Sequence, residues 1–175
     1  MDYPIITTDR LRLRGWAESD LDAFARLNAN AEFIAYLGGG VPISRAESWR
    51  VMAMAIGHWV LRGYGLWVVE DKVSGEFIGR VGLLKMDDWP ALEVGWGIHP
   101  EHFGKGYATE AAKASADWAF NNLDCDSLIS INDPRNTASK AVAKRIGSRF
   151  DRIEFVRDRE CEIFKVTKEQ FYQNQ

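Results

Sequence analysis

A glycine-containing loop that leads into a helix is the part of this sequence best suited to chemistry. Residues 92–98 read as a strand, and Gly104 and Gly106 follow just before an alanine-rich stretch. Backbone N–H groups at the start of a helix have no partner within it, and the helix dipole makes that end positive. The pattern predicts a phosphate-binding turn, although glycine also serves simply to turn a chain.

The familiar nucleotide-binding fingerprints do not account for this loop. No GxxxxGK[ST] run occurs in the sequence, which excludes a Walker A loop. The Rossmann pattern starting at Gly104 fails because Thr109 occupies its third glycine position. A different anion-binding loop is therefore expected.

Glu93 is the candidate general base. Alternation along residues 92–98 places Glu93 on the strand face that also carries Gly95 and Gly97. A carboxylate beside backbone without side chains has room for a ligand. The alternative is a solvated strand glutamate with an ordinary pKa near 4.3.

The histidines and cysteines predict no metal site. His99 and His102 belong to no HExxH pattern, and we expect them to flank the phosphate loop. His58 lies beside the apolar stripe of a helix, where a structural histidine is the expected outcome. Cys125 and Cys161 form no CxxC pair, which is typical of a reducing compartment.

The elements that must position these residues alternate in type. Ser44 with Glu47 three residues later forms a capping box for one helix. Helices are also predicted from residue 19, at 106–121 and at 137–146, and strands at 5–14, 66–70, 77–85, 92–98, 127–131, 150–157 and 161–166. Hairpins connect the early strands and helices the later ones, which predicts an α/β fold with a mixed, twisted sheet of about seven strands flanked by helices. We expect one domain over residues 1–167 and a polar tail over 168–175.

Composition limits the partners and the location. The chain has 175 residues, 46% hydrophobic and 27% charged, as is typical of a folded domain. Its 22 Lys and Arg against 25 Asp and Glu leave a net charge of −3, so neither nucleic acid nor a membrane is an expected partner. No apolar run approaches the roughly 18 residues of a membrane helix, and residues 1–14 carry charges unlike a signal peptide. We therefore expect a cytoplasmic protein.

Four segments of the sequence resemble the GNAT superfamily of N-acetyltransferases, and more narrowly the branch that includes the ribosomal-protein N-terminal acetyltransferases. They are TTDRLRLRGWAESD at residues 7–20, GEFIGRVGL at 75–83, LEVGWGIHPEHFGKGYATEA at 92–111 and NDPRNTASKAVAKRIG at 132–147. The resemblance covers nearly the whole chain and implies a GNAT-like fold with acetyl-CoA as the acyl donor and no metal.

The resemblance also assigns the coenzyme loop. In that family a Q/R-x-x-G-x-G/A loop wraps the pyrophosphate through backbone amides, and here Gly104 and Gly106 match while Glu101 replaces the Gln or Arg. A backbone N–H near Trp96, Gly97 and Ile98 is expected to polarise the thioester carbonyl. The pyrophosphate donors would come from Phe103, Gly104, Lys105, Gly106, Tyr107, Ala108 and Thr109, with Lys105 adding charge.

The family's second coenzyme segment is matched at residues 135–139. The resemblance implies that Asn136 contacts the pantetheine arm or bound water and that Ser139 donates a hydrogen bond to the departing thiolate. Alternatively, Asn136 caps the next helix and Ser139 is an ordinary helix residue. Many family members carry a general-acid tyrosine where this chain has Ala143. The thiolate would then be protonated by Ser139, by water or by no dedicated group.

Aromatic residues near the predicted loops are candidates for the acceptor wall. They are Trp16, Phe33, Tyr36 and Trp89. The expected reaction is direct transfer of an acetyl group to a primary amine, on a protein N-terminus or a small molecule, by a monomer or homodimer. The alternatives are a catalytically silent acyl-CoA-binding regulatory module and a protein that binds another nucleotide.

Overall fold

The strands form one open sheet in the computed structural model, which describes residues 3–174. The strands are β1 (Ile6–Thr7), β2 (Leu11–Arg14), β3 (Leu66–Asp71), β4 (Phe77–Leu84), β5 (Glu93–Ile98), β6 (Ser127–Asn132), β7 (Arg149–Val156) and β8 (Arg159–Thr167). Their order is β1-β2-β3-β4-β5-β6-β8-β7, and β5 with β6 is the parallel pair. Residues 1 and 2 of the predicted domain and Gln175 of the predicted tail lie outside the described residues.

Helices cover both faces of this sheet. They are α1 (Leu21–Ala29), α2 (Ala31–Ile34), α3 (Arg45–Arg62), α4 (Tyr107–Asn122), α5 (Thr137–Arg145) and α6 (Lys168–Gln173). Helices α1 to α3 pack on Leu66, Val68 and Leu84, whereas α4 packs on the opposite face, against Val94 and Ile98. Because neighbouring residues of a strand face opposite ways, β5 presents different side chains to the two helical layers.

The start and end of α3 follow local chemistry, as the sequence predicts. The Ser44 hydroxyl accepts the Glu47 N–H at 3.2 Å, and the Glu47 carboxylate accepts the Ser44 N–H at 2.8 Å. Gly63 ends the helix in the left-handed conformation with φ +75°. The mixed α/β sheet is also confirmed, with eight strands where the sequence indicated about seven.

Two predicted boundaries at the start of the chain were wrong. The strand expected at 5–14 is interrupted, because the Thr8 hydroxyl accepts the Leu11 N–H at 3.0 Å and folds the chain into a β1–β2 hairpin. This interruption supplies the eighth strand. The first helix begins at Leu21 after a 3₁₀ turn at Glu18–Asp20, not at Ser19.

The segment predicted as a polar tail forms α6. Thr167 and Gln170 cap its start reciprocally, and Phe171 is only 1% exposed among the core residues. One buried aromatic side chain thus holds a stretch whose composition is otherwise polar. Among the helices of residues 3–174, none combines the length and apolar character needed to cross a bilayer.

Candidate active site

The parallel strands β5 and β6 meet at one end and separate at the other. Their register contains a single Cα pair, Glu93 with Ile129, beside a hydrogen bond of 2.9 Å from the Ile129 N–H to the Leu92 carbonyl. The opposite edge of β5 stays paired with β4 from Glu93 to Ile98. The backbone groups of β5 that face β6 beyond Glu93 therefore border a gap in the sheet.

The side chains of β5 do not fill this gap, so the strand borders it with its backbone. Ile98 is buried in the core under α4, and Trp96 packs against the same core. Both side chains thus point away from Glu93, as the alternation predicts. Of the predicted residues, Ile98 is buried and Trp96 is partly buried, so the main chain of β5 is what borders the gap.

The predicted phosphate loop lies directly beyond the end of β5. Gly104 and Gly106 have φ of +75° and +81°, a conformation that strains any residue with a Cβ atom. Gly106 is the N-cap of the 16-residue helix α4, and no side chain caps this end. The first helical hydrogen bond runs from the Glu110 N–H to the Gly106 carbonyl, which leaves the preceding N–H groups without acceptors in the helix.

The space around this loop is open. An added Cβ atom at Gly104 would meet no atom within 4 Å, and Phe103, Lys105 and Gly106 are exposed. Glu101, which departs from the family pattern, has a side chain that is 77% exposed. Its carboxylate therefore lies in solvent at the rim, and the exposed backbone donors and Lys105 determine how the loop can meet an anion.

Arg10 anchors this loop and was missed at the sequence level. Its guanidinium donates to the Lys105 carbonyl at 2.8 Å and forms an ion pair of 2.6 Å with Glu110. It also lies 4.6 Å from the ring centre of Tyr107, and Thr8 donates to Glu110 at 2.6 Å. In the sequence, Arg10 lies within the strand predicted at residues 5–14. Nothing local relates it to a loop about 95 residues later.

Glu93 is buried, contrary to the alternative of a solvated strand glutamate. Only 8% of the residue is exposed, and its Oε2 accepts a hydrogen bond of 2.5 Å from the Trp89 indole N–H. The backbone N–H of Ile131 on β6 also favours the ionised form of this carboxylate. Burial raises the pKa of Glu93, while these two donors and the charge of Arg80 act in the opposite direction.

Trp89 is held in place from the far edge of the sheet. The Arg157 guanidinium lies 4.7 Å from the Trp89 ring centre and forms a 2.7 Å ion pair with Asp88. Arg157 belongs to the β7–β8 turn, where it has φ +49°. The turn between β4 and β5 and the β7–β8 turn together orient the indole toward Glu93.

Asn136 and Ser139 lie at the start of α5. The Asn136 side-chain oxygen accepts the Ser139 N–H at 3.0 Å, so Asn136 caps the helix. The Ser139 hydroxyl donates to the Asn132 side-chain oxygen at 2.7 Å. Ala143 is fully buried, and no phenol occupies that position. Ser139 must release its bond to Asn132 before its proton can go elsewhere.

The candidate acceptor wall is partly corrected. Trp16 is only 7% exposed and donates its indole N–H to the Leu66 carbonyl, so it belongs to the core under α1 to α3. Phe33 is also buried, but its ring covers Gly97, where an added Cβ atom would lie 2.9 Å away. Tyr36 remains exposed near Arg135.

The histidines hold structural positions. His58 Nδ1 lies 2.7 Å from the Tyr64 carbonyl, and its Nε2 accepts the Lys85 N–H at 3.1 Å. His102 is buried beside the loop, with Nε2 3.3 Å from Glu76 and Nδ1 3.2 Å from Lys105. Within residues 3–174, no three His, Cys, Asp or Glu side chains cluster as metal ligands would.

Comparison with known proteins indicates an acetyltransferase family. Residues 10–149 match the acetyltransferase (GNAT) domain. The uncharacterized protein YkkB of Bacillus subtilis strain 168 is 32% identical over 155 residues, which span 84% of this chain and 86% of YkkB. The crystal structure of an acetyltransferase from Agrobacterium tumefaciens strain C58 shares 33% identity with a TM-score of 0.86, covering 96% of both chains. RimL, a ribosomal L7/L12 alpha-N-protein acetyltransferase solved with coenzyme A, has a TM-score of 0.75 at 19% identity, covering 94% of this chain and 98% of RimL, a likeness of fold.

Proposed function

The chain belongs to the GNAT family of acetyltransferases, and we propose that it transfers the acetyl group of acetyl-CoA directly to an α-amine of a protein N-terminus or a small molecule. The observation that carries the proposal is the buried carboxylate of Glu93 beside the gap between β5 and β6. A base next to an open strand edge is suited to removing a proton from an amine held there.

The residues of the loop fit the pyrophosphate of acetyl-CoA. Unpaired N–H groups at the start of α4 and the empty space above Gly104 accommodate an anion without moving the backbone. Phe103, Gly104, Lys105 and Gly106 would hold it, together with the first residues of α4, Tyr107, Ala108 and Thr109. The pantetheine arm would lie along the free edge of β5 near Trp96, Gly97 and Ile98, with Asn136 on its other side.

Acetyl-CoA supplies the acetyl group as a thioester when bound. The amine nitrogen bonds to the acetyl carbon as the carbon–sulfur bond breaks, and the electron pair of that bond leaves with the thiolate. Glu93 accepts the amine proton through water, and a backbone N–H of β5 near Gly97 stabilises charge on the carbonyl oxygen. Ser139 donates a hydrogen bond to the thiolate, exchanging its bond to Asn132 for this one, and the thiolate takes its proton from water.

The acceptor class follows from the strength of this base. An α-amino group has a reference pKa near 7.7–8.0 against about 10.4 for lysine, and an amine attacks only when unprotonated. A carboxylate is a weak base even when burial raises its pKa. An α-amine is therefore favoured over a lysine side chain. We place the reaction in the cytoplasm, in a monomer or homodimer.

The test is the pH dependence of kcat/KM for the wild type and Glu93→Gln. Two matched peptides serve as acceptors, one with a free N-terminus and no lysine, the other N-terminally blocked with one lysine. We expect Glu93→Gln to slow transfer to the free N-terminus most below the pKa of that amine. Superimposable profiles would remove Glu93 from the mechanism, and a preference for the lysine peptide would overturn the acceptor class.

A catalytically silent acyl-CoA-binding module is the second candidate, favoured by the buried Ala143 where many relatives carry an acidic phenol. Such a module would bind acetyl-CoA but release no thiol with any amine. Measuring free thiol over a panel of amines therefore separates the two functions.

A further inference from the structure

Arg80 lies on the same face of the sheet as Glu93. It is opposite Gly97 in the β4–β5 register, and the next pair on this face is Gly82 with Gly95. Its Cγ is 3.8 Å from where a Cβ atom of Gly97 would lie. A long side chain in this position can extend toward a diagonal neighbour on the same face, one of which is Gly95, and the charge of Glu93 on that side attracts the guanidinium.

The space above Gly95 is open and has a carboxylate at one end. An added Cβ atom at Gly95 would meet only Glu93, with Oε1 at 3.6 Å. Phe33 closes the neighbouring position above Gly97. A small ligand above Gly95 would therefore lie between Glu93 and the side of the site that carries Arg80.

The guanidinium of Arg80 has no partner in this space. Among residues 3–174 it forms no ion pair, and its Nε is buried without a hydrogen bond. Glu93 attracts it, but the two do not come within ion-pair distance, and the Glu93 carboxylate already accepts a hydrogen bond from Trp89. Arg14 shows the usual arrangement, since its guanidinium pairs with Asp20 at 2.7 Å and Glu70 at 2.6 Å.

The Nε of Arg80 is buried without an acceptor, and an unmade hydrogen bond at a buried polar atom destabilises the folded chain. Burial lowers the pKa of Arg80, which means that the surroundings disfavour its charged form. A bound anion would supply the missing acceptor, and a planar carboxylate matches the fork of N–H groups in two parallel hydrogen bonds.

We propose that Arg80 binds a carboxylate of the acceptor, so that the substrate is an amine with a carboxylate close by, of which a free α-amino acid is the simplest case. The proposal rests on the proposed function and specifies its small-molecule option. The amine would lie toward Glu93 above Gly95, and the carboxylate toward Arg80. Successive residues on one strand face are roughly 6.6 Å apart, and an α-amino acid carries both groups within that span.

The first experiment compares free amino acids with their carboxamides, which keep the shape and lose the negative charge. Rates are expressed per unprotonated amine, because amidation also lowers the pKa of the amine. We expect the wild type to show a KM at least 10-fold lower for the acid than for the amide. Arg80→Gln should raise the KM of the acid at least 10-fold and leave that of the amide unchanged, and Arg80→Lys should restore part of the preference. An amide preference in the wild type, or an unchanged ratio in Arg80→Gln, would overturn the proposal.

A second experiment needs no turnover and separates this proposal from the reaction itself. Arg80→Met keeps an unbranched chain as far as the position of Nε without the charge, and we expect its Tm to equal or exceed that of the wild type. Arg14→Met is the matched control and should lower the Tm, since Asp20 loses its ion pair and Glu70 keeps only its 4.0 Å pair with Arg12. A Tm loss in Arg80→Met as large as in Arg14→Met would show that Arg80 serves the fold and would overturn its role in substrate binding. Failure of the wild type to acetylate any amine would instead refute the proposed reaction.

Discussion

The indole N–H of Trp89 donates a 2.5 Å hydrogen bond to Oε2 of Glu93, which joins the β4–β5 turn to the candidate base. This bond favours the ionised carboxylate and so opposes the effect of burial on its pKa. The indole keeps its position because the Arg157 guanidinium stacks over the face of the ring. The ionisation of Glu93 therefore depends on residues from two turns, β4–β5 and β7–β8.

Trp89→Phe should move the acid limb of the kcat/KM profile to higher pH. The ring remains beneath Arg157, but the donor to Glu93 is lost and the pKa of the carboxyl group rises. A hydrogen bond to a charged group contributes about 1.5–3 kcal/mol, which corresponds to about one pH unit or more. Trp49→Phe is the control, because Trp49 is exposed and donates no hydrogen bond within residues 3–174. An unshifted acid limb in Trp89→Phe would show that this bond does not govern the base.

Glu93→Gln should change how stability depends on pH. Burial raises the pKa of Glu93 above its value in the unfolded chain, so the native state keeps this proton to a higher pH. The contribution of the group is fully present below its unfolded pKa, near 4.3, and declines as pH rises toward its folded pKa. The free energy of unfolding of Glu93→Gln, relative to the wild type, should therefore increase from pH 4 to neutral pH in urea titrations.

Glu110→Gln is the control of opposite sign for that experiment. Partial burial alone would raise the pKa of Glu110, but hydrogen bonds from Thr8 and Arg10 lower it overall. Its stabilisation is present above the unfolded pKa and is lost as pH falls, so Glu110→Gln should become less stable than the wild type as pH rises. Parallel pH curves for the two variants would contradict both assignments.

Gly104→Ala should weaken acetyl-CoA binding far more than its effect on the fold explains. A Cβ atom at φ +75° costs about 1–2 kcal/mol, and here it would enter the open space in which the pyrophosphate is proposed to lie. Gly63→Ala is a matched control, with φ +75°, no atom within 4 Å and a position at the end of α3. Calorimetric titration should show at least 10-fold weaker binding in Gly104→Ala alone, with similar Tm losses in both. Equal affinities would mean that the loop serves only to turn the chain.

Ser139→Ala should lower kcat by roughly 10-fold and leave the affinity for acetyl-CoA unchanged, since the hydroxyl is proposed to act on the departing thiolate. Ser130→Ala is the control, because the Asn132 amide contacts the Ser130 hydroxyl at 3.1 Å and the Ser139 hydroxyl at 2.7 Å. Pre-steady-state measurement of thiol release compares the two variants. Equal losses in both would assign the effect to the packing around Asn132.

Local spacing in the sequence was enough to predict the parts of the site that lie on one element. The Ser44–Glu47 capping box, the strand ending at Ile98 and the helix starting after Gly106 all follow from patterns within a few residues. For the same reason, the alternation of residues along the strand predicted that Glu93 lies on one face and that Trp96 and Ile98 lie on the other. Hydrogen bonding along a helix or strand repeats at a fixed interval, so spacing determines which side chains share a face.

The tertiary structure alone decided what each of these side chains meets. Glu93 is buried beside Trp89, whose ring contacts Arg157 of the distant β7–β8 turn, and Arg10 reaches a loop about 95 residues away. The register places Arg80 opposite Gly97, where it forms no ion pair with any residue of 3–174, and Phe171 is buried because α6 returns to the core. Contacts between distant segments depend on strand order, register and packing, which no local repeat specifies.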